Sequence, residues 1–405
     1  MRKVFKYRLY PKKSQITALQ LQLDCCRWVY NKTIEVRQET WENQGIALSR
    51  YDTQNMLPVW KDELPWLKSG YAQSLQETQK RVDLAFRSFF RRIKSGEKPG
   101  HPRFKSQKRF DSFTYPQNNR SWSFVSIQVL RLPKIGDVKI KLHREVVGIQ
   151  KTLTIHRDCT GKWFALFSCI VPDNHLPKTD SVVGVDVGIT TFATLSNGAG
   201  IDNPRFLKRD QCAIAKAQRQ MDKQPNGTKR YLKNKHRVQH ICSRVTNRRH
   251  NFAHQESRRL VNQHQLLVFE KLQIQEMKHG NYRSMNRSIN DVPWDLFMQL
   301  CSSKAEEAGR TVVFVDPRGT TQMCSGCGTV VPKDLSVRVH DCPGCGLVLG
   351  RDHNAALNIL ARGLASLGVS PKRPYGSTEV TATTCHRENV MDLDGDYLGS
   401  DGLSQ

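Results

Sequence analysis

The sequence predicts a multidomain α+β chain: a β module split by a helical module, then an α/β domain carrying a small cysteine-bearing insert. Three observations carry this prediction. Apolar residues alternate with period two at 3–10 and again from about 110 to 172, while helical spacing fills the stretch between. From Val182 onward, short apolar strands alternate with helical patterns. Two Cys-x-x-Cys pairs stand close together late in that alternation. At 405 residues the chain exceeds one typical domain.

The elements follow in order. Residues 3–10 read as a strand that stops at Pro11. Ser14 is placed as the cap of a helix whose apolar side is Ile16, Leu19, Leu23, Cys26, Tyr30 and Ile34. A second amphipathic helix over about 71–93 presents Leu75, Val82, Phe86, Phe89, Phe90 and Ile93. A basic Gly/Pro-rich loop over 94–105 closes this module. Next come alternating strands with Val138, Ile140 and Leu142, then Leu153 and Ile155, then Trp163, Ala165 and Phe167 beyond a turn at 159–162. The first strand can join these, which makes the helical module an insertion into a β domain.

A polar linker at 173–180 leads to strands at 182–186 and 191–195. Two helices follow, separated by the turn 224–228, with Thr228 capping the second and Val238, Ile241, Val245 and Phe252 on one of its sides. Further strands are predicted at 266–270 and 311–315. The predicted boundaries are 1–11 and 109–176 for the β domain and 12–108 for the helical module, with the α/β domain from 177 to 369. Residues 370–405, rich in Asp, Gly and Ser, read as a disordered acidic tail.

Charge bounds the partners. Lys and Arg number 63 against 37 Asp and Glu, a net charge of +26. Such an excess points to nucleic acid, ahead of a ribosome-associated or membrane-surface role. No run approaches the ~18 apolar residues of a membrane helix. The basic N-terminus has no apolar run behind it, so it does not read as a secretory signal. A cytoplasmic, nucleoid-associated protein of a bacterium or archaeon is expected.

Cys324-Ser-Gly-Cys327 and Cys342-Pro-Gly-Cys345 have the spacing of two zinc knuckles. Four thiolates fill a tetrahedron and leave no open position, so one structural Zn²⁺ is expected. His340 is then superfluous and reads as a loop residue. The other eight cysteines, such as Cys25 and Cys301, show no framework and read as free thiols in a reducing compartment.

Three acids stand where burial should exclude them. Asp186 interrupts an apolar strand, Glu270 ends another, and Asp352 opens a helical pattern. A buried carboxylate is costly unless paired or metal-bound. Together the three could hold two divalent cations, Mg²⁺ or Mn²⁺, for phosphodiester hydrolysis. Singly, Asp186 could be a turn residue before Gly188, Glu270 an ion-pair partner of Lys271, and Asp352 a helix N-cap.

Gly184-Val-Asp-Val-Gly-Ile189, Phe269-Glu270-Lys-Leu272, Thr320-Thr-Gln-Met-Cys324-Ser-Gly-Cys-Gly328, Asp341-Cys-Pro-Gly-Cys345 and Arg351-Asp-His-Asn-Ala-Ala-Leu-Asn-Ile359 keep the order of motifs found in TnpB. So do Arg8-Leu-Tyr-Pro11 and Arg27-Trp-Val-Tyr-Asn31. The chain resembles this insertion-sequence family, related to type V CRISPR effectors, up to about residue 365. The resemblance implies a wedge-type β-barrel split by a helical recognition module. It also implies a RuvC nuclease domain of RNase H-like fold over 177–318 and 349–369, interrupted by a zinc ribbon over 319–348.

It further implies Asp186, Glu270 and Asp352 as the catalytic triad, a transposon-derived guide RNA, and double-stranded target DNA cut beside a short flanking motif. The family often has an acid where this chain has Gly350. Phosphate contacts are expected from Arg27, Arg91, Arg92, Lys105, Lys229, Arg230, Lys233, Arg237, Arg248 and Arg249. A monomer is expected. The alternatives are a miniature type V CRISPR effector, which often works as a dimer, and a non-cleaving RNA-guided binding or transposition-accessory protein. Retention of all three acids speaks against the non-cleaving reading.

Overall fold

The computed structural model describes residues 1–118, 121–273, 277, 282–334 and 336–369; the tail at 370–405 lies outside them. The chain divides into two compact units. The first comprises Met1–Leu176, Arg205–Glu256 and Glu306–Gly309, and the second Pro177–Pro204, Ser257–Ala305 and Arg310–Gln405.

The first unit begins with β1 (Arg2–Tyr10), in which Phe5, Tyr7 and Leu9 turn inward while Val4 faces out. Four helices follow: α1 (Lys13–Gln44), α2 (Arg50–Asn55), α3 (Leu57–Glu63) and α4 (Ala72–Lys94). Then come β2 (Ser112–Tyr115), β3 (Ser123–Ser126), β4 (Val129–Leu132), β5 (Gly136–Lys141), β6 (Ile149–Arg157) and β7 (Trp163–Ile170). The seven strands form one antiparallel sheet in the order β2-β6-β7-β1-β5-β4-β3. β1 thus lies between β7 and β5, and α1–α4 are inserted into the sheet, as the sequence pattern predicted.

The sheet curls. Phe124 on the β3 edge stacks on Phe167 of β7 at 5.3 Å, although three strands stand between them in the sheet order. From the opposite edge, the Tyr115 hydroxyl donates to the Pro133 carbonyl in the β4–β5 turn at 3.2 Å.

Helix α1 buries Leu19, Leu23, Cys26, Tyr30 and Ile34, but Ile16 is exposed. The helix starts two residues earlier than predicted: Lys12 is the cap, its amide donating to the Gln15 side chain at 2.9 Å, and Ser14 lies in the first turn. In α4 the buried side stops at Asp83. Beyond it Phe86, Phe89 and Phe90 contact one another, and Phe86 and Phe89 also meet His101. Phe90 and Ile93 therefore stay exposed, contrary to a core role.

The unit also holds α5 (Phe206–Asp222) and α6 (Lys229–Gln263) up to residue 256. Thr228 caps α6, its hydroxyl accepting from the Tyr231 amide at 3.2 Å.

The second unit contains β8 (Val182–Val187), β9 (Thr191–Leu195), β10 (Gly200–Asp202), β11 (Leu266–Glu270), α7 (Arg283–Asp291), α8 (Trp294–Ala308) and β12 (Thr311–Val315). The small strands β13 (Val339–Asp341) and β14 (Val348–Gly350) and helix α9 (Arg351–Ser366) complete it. Its sheet runs β10-β9-β8-β11-β12: an antiparallel meander, then parallel pairing of β8 with β11 and of β11 with β12. All five residues of β11 are buried, as a strand covered on both faces requires.

Helix α9 packs on this sheet through glycines. A Cβ at Gly184 of β8 would stand 2.2 Å from the Ala356 carbonyl oxygen, and one at Gly363 would stand 2.4 Å from a Val268 methyl. A side chain would clash at either crossing, so β8 meets the helix backbone to backbone and the Val268 side chain of β11 packs directly on Gly363. Among the described residues, no helix is long and apolar enough to cross a membrane.

Candidate functional site

Three elements of the second unit end at the carboxylates. Asp186 lies inside β8, paired with Thr194 of β9, which excludes the turn reading. Glu270 closes β11 and is buried. Asp352 sits in the first turn of α9, whose cap is Gly350, which excludes the N-cap reading. The helix N-terminus favours its negative charge.

Asp186 senses the other two acids. Burial pushes the Asp186 carboxyl well above the usual range, and the charges of Glu270 and Asp352 push it further; Arg351 opposes them. Burial also raises Glu270, against a hydrogen bond from Thr320 and the charge of Arg362. The Thr320 hydroxyl donates to Glu270 Oε1 at 2.6 Å, so the partner of Glu270 here is Thr320 and not Lys271. Mutually repelling oxygen donors of this kind fit a hard divalent cation, which would supply the missing positive charge.

The four predicted cysteines also come together. Their sulfurs all lie within 4.8 Å of one another. Cys324 and Cys345 are 3.6 Å apart, and Cys327 and Cys342 are 3.5 Å apart. A disulfide needs about 2.05 Å. A tetrahedron with 2.3 Å metal–sulfur bonds has edges of about 3.8 Å, so the set fits Zn²⁺. Hydrogen bonds from the Thr329 hydroxyl and amide hold the Cys327 thiol down, to about 6.

The two knuckles share one wiring. Gly328 N–H donates to Cys324 O and Gly346 N–H to Cys342 O, at 2.9 and 2.8 Å. Cys324 N–H then donates to Thr329 O, and Cys342 N–H to Leu347 O. Each turn needs a positive φ at its glycine, 85° at Gly328 and 68° at Gly346. His340, expected in a loop, lies in β13 and is fully buried, with the Lys333 ammonium against its Nδ1.

Sequence reasoning missed the polar chain joining the two centres. Asn354 and Asn358 of α9, four residues apart on one helix face, are both buried. Asn354 accepts from the Ser325 amide at 2.9 Å and donates to Met323 O at 2.8 Å. Asn358 donates to Thr320 O and Met323 O. The helix bearing Asp352 thereby grips the segment between Thr320, the partner of Glu270, and the first knuckle. On the other flank, His353 contacts Ser196 O at 3.1 Å, and the Ser196 hydroxyl accepts from the Gly184 amide two residues before Asp186. These residues stood inside motifs already noticed, but their partners lie 29 to 157 positions away.

The predicted phosphate contacts lie on several elements of the first unit. Arg91 and Arg92 are exposed at the end of α4. Arg27 lies on α1 beside Asp24, at 3.7 Å. Lys105 sits over the Tyr30 ring at 5.4 Å. Lys229, Arg230, Lys233 and Arg237 are exposed along α6, Arg248 pairs with Asp210 at 2.8 Å, and Arg249 is half-buried.

Family comparisons cover most of the chain. Residues 167–280 match the OrfB family of IS605 elements, described as "Probable transposase". Residues 294–359 match a Cas12f1-like TNB domain, and 1–45 a family described as a helix-turn-helix domain. In the structure, residues 1–45 form one strand and one helix. A solved structure of the mini-RNA-guided endonuclease CRISPR-Cas phi3 covers 89% of the chain and 92% of its own length, with a TM-score of 0.51 at 9% identity, and shares the mixed fold.

The chain is 29% identical over 90% of its length to "Putative RNA-guided DNA endonuclease InsQ" of Escherichia coli (strain K12), covering 92% of that protein. It is 32% identical over 93% of its length to "Putative RNA-guided DNA endonuclease" of Streptomyces pristinaespiralis, covering 94% of that protein. With likeness of that extent, the chain belongs to the TnpB/OrfB family.

Proposed function

We propose that this protein is an RNA-guided endonuclease that cuts double-stranded DNA beside a short flanking motif, with a transposon-derived RNA as guide. The observation that carries the reading is the electrostatic coupling of Asp186, Glu270 and Asp352 at the ends of β8, β11 and α9. The names of the Streptomyces and Escherichia relatives support it. The strand order of the second unit supports a RuvC-type, RNase H-like domain over 177–318 and 349–369, with a zinc ribbon over 319–348. The curled sheet supports a wedge barrel over 1–11 and 109–176, with the recognition module at 12–108.

Asp186, Glu270 and Asp352 would hold two Mg²⁺ or Mn²⁺ ions, which when bound supply Lewis acidity to the attacking water and the leaving oxygen. Thr320 fixes one Glu270 oxygen and leaves the other free to ligate. The glycine crossings hold Asp186 and Asp352 on backbones that cannot drift apart. Cys324, Cys327, Cys342 and Cys345 would hold a structural Zn²⁺.

The test is expression with the native flanking DNA, sequencing of the co-purifying RNA, and incubation with duplexes that match or mismatch its variable end. Cleavage confined to the matched duplex supports the reading; a complex that binds RNA but never cuts matched DNA overturns it.

One prediction concerns Thr320 as a positioning residue. Thr320→Val removes the donor that lowers the Glu270 pKa, so Glu270 ionises at higher pH. The acidic limb of the cleavage–pH profile is expected to move upward, and Thr320→Ser to restore it. An unmoved profile in the valine variant rejects the role.

A further inference from the structure

The first unit contains a basic cavity. It encloses about 450 Å³. From α6 it is lined by His240, Arg244, Asn247, Arg248 and Asn251, and from the β6–β7 turn by Lys162. The α6 residues 240, 244, 247 and 251 recur at helical spacing and so share one face. None of the lining residues is acidic, and each, Ser243 of α6 included, can donate a hydrogen bond from an N–H or O–H.

Both walls are fixed before any ligand arrives. Asp158 Oδ1 accepts from the Thr160 amide, the Thr160 hydroxyl and the Lys162 amide, at 2.7 to 2.9 Å. Burial opposes the charge on Asp158, yet these bonds hold its carboxyl below its ordinary value. Gly161, at φ 77°, closes the turn. The Thr160 carbonyl meets His236 Nε2 of α6 at 3.1 Å, one helical turn before His240. Asp210 holds the Arg248 guanidinium at 2.8 Å.

We infer that this cavity is a binding site for a backbone phosphate of nucleic acid, with Lys162 and Arg244 as its principal cationic contacts. Its occupant rests on the function proposed above, since the same chemistry would seat a phosphate of the guide RNA or of the DNA. The volume suits a phosphate with its flanking sugars; the Lys162 and Arg244 side chains are exposed and can swing onto it, beside the Arg248 guanidinium that Asp210 already holds.

The test uses the full chain and two fluorescein-labelled probes of one sequence, a single-stranded RNA and a duplex DNA, with anisotropy read across a salt series. Lys162→Ala and Arg244→Ala are compared with Lys178→Ala, which removes an equal charge from the linker. Each cavity variant is expected to weaken binding about five- to ten-fold near 0.1 M salt and to lower the slope of log Kd against log salt by about 1. Loss with RNA only assigns the phosphate to the guide, and loss with DNA only to the target. Cavity variants that match Lys178→Ala on both probes, with wild-type melting, overturn the site. The readout is binding, so a wild-type protein that binds but never cuts would sink the nuclease reading without touching this one.

Discussion

Asp186→Asn is expected to abolish guided DNA cleavage while stabilising the metal-free protein. The carboxyl is buried and faces the charges of Glu270 and Asp352, so its folded-state pKa stands well above the ordinary value. The folded chain therefore binds that proton more tightly than the unfolded chain does. The resulting stability is full below the unfolded pKa, near 3.9, and is lost as pH rises through the raised folded value. At neutral pH the metal-free site is a net strain on the fold, and asparagine removes the charge without changing the volume.

Calorimetry without divalent ions should find a higher melting temperature for Asp186→Asn than for wild type at pH 7.5. The gap should shrink toward pH 4. Adding Mg²⁺ should raise the wild-type midpoint more than the variant's, because ions stabilise only the state that binds them. Cleavage should fall at least ~10³-fold, since several kcal/mol of charge stabilisation disappear with the ligand. Equal Mg²⁺ responses in the two proteins, or retained cleavage, would remove Asp186 from the site.

The carboxylates were legible in sequence because a charge inside or at the end of an apolar strand is an anomaly that local pattern exposes. The cysteines were legible because knuckle geometry is local, four residues per turn. That β1 joins the later strands followed from a period-two pattern on either side of a helical stretch; its place between β5 and β7 did not. What stayed hidden depends on partners far along the chain. Asn354 and Asn358 read as ordinary polar residues of a helix start until Met323 and Thr320 lie against them. Phe90 and Ile93 keep helical spacing, and spacing alone does not reveal where along α4 the packing surface ends. His340 is buried because β13 pairs with β14, a contact between residues nine positions apart that no local period announces.

Cys342→Ser is expected to act on the nuclease site without touching substrate. Cys324 and Cys342 are both buried, and four thiols packed at these separations have neither disulfides nor a core large enough to hold the knuckles closed alone. Loss of one ligand should take bound zinc from about one per chain to near none and loosen the segment from Thr320 to Gly350. That segment carries the carbonyls gripped by Asn354 and Asn358, and the hydroxyl that orients Glu270. Cleavage should fall roughly 10- to 100-fold, the usual cost of removing the support around a metal ligand.

Hydrogen exchange should rise across 319–350 and in the first turns of α9, while β1 and α1 stay protected. Combining Cys342→Ser with Thr320→Val should cost less than the two losses multiplied, because both act through the same Glu270 contact. Full cleavage by a protein shown to lack zinc would mean that the knuckles and the carboxylates are neighbours only in sequence order, and that the asparagine chain between them transmits nothing.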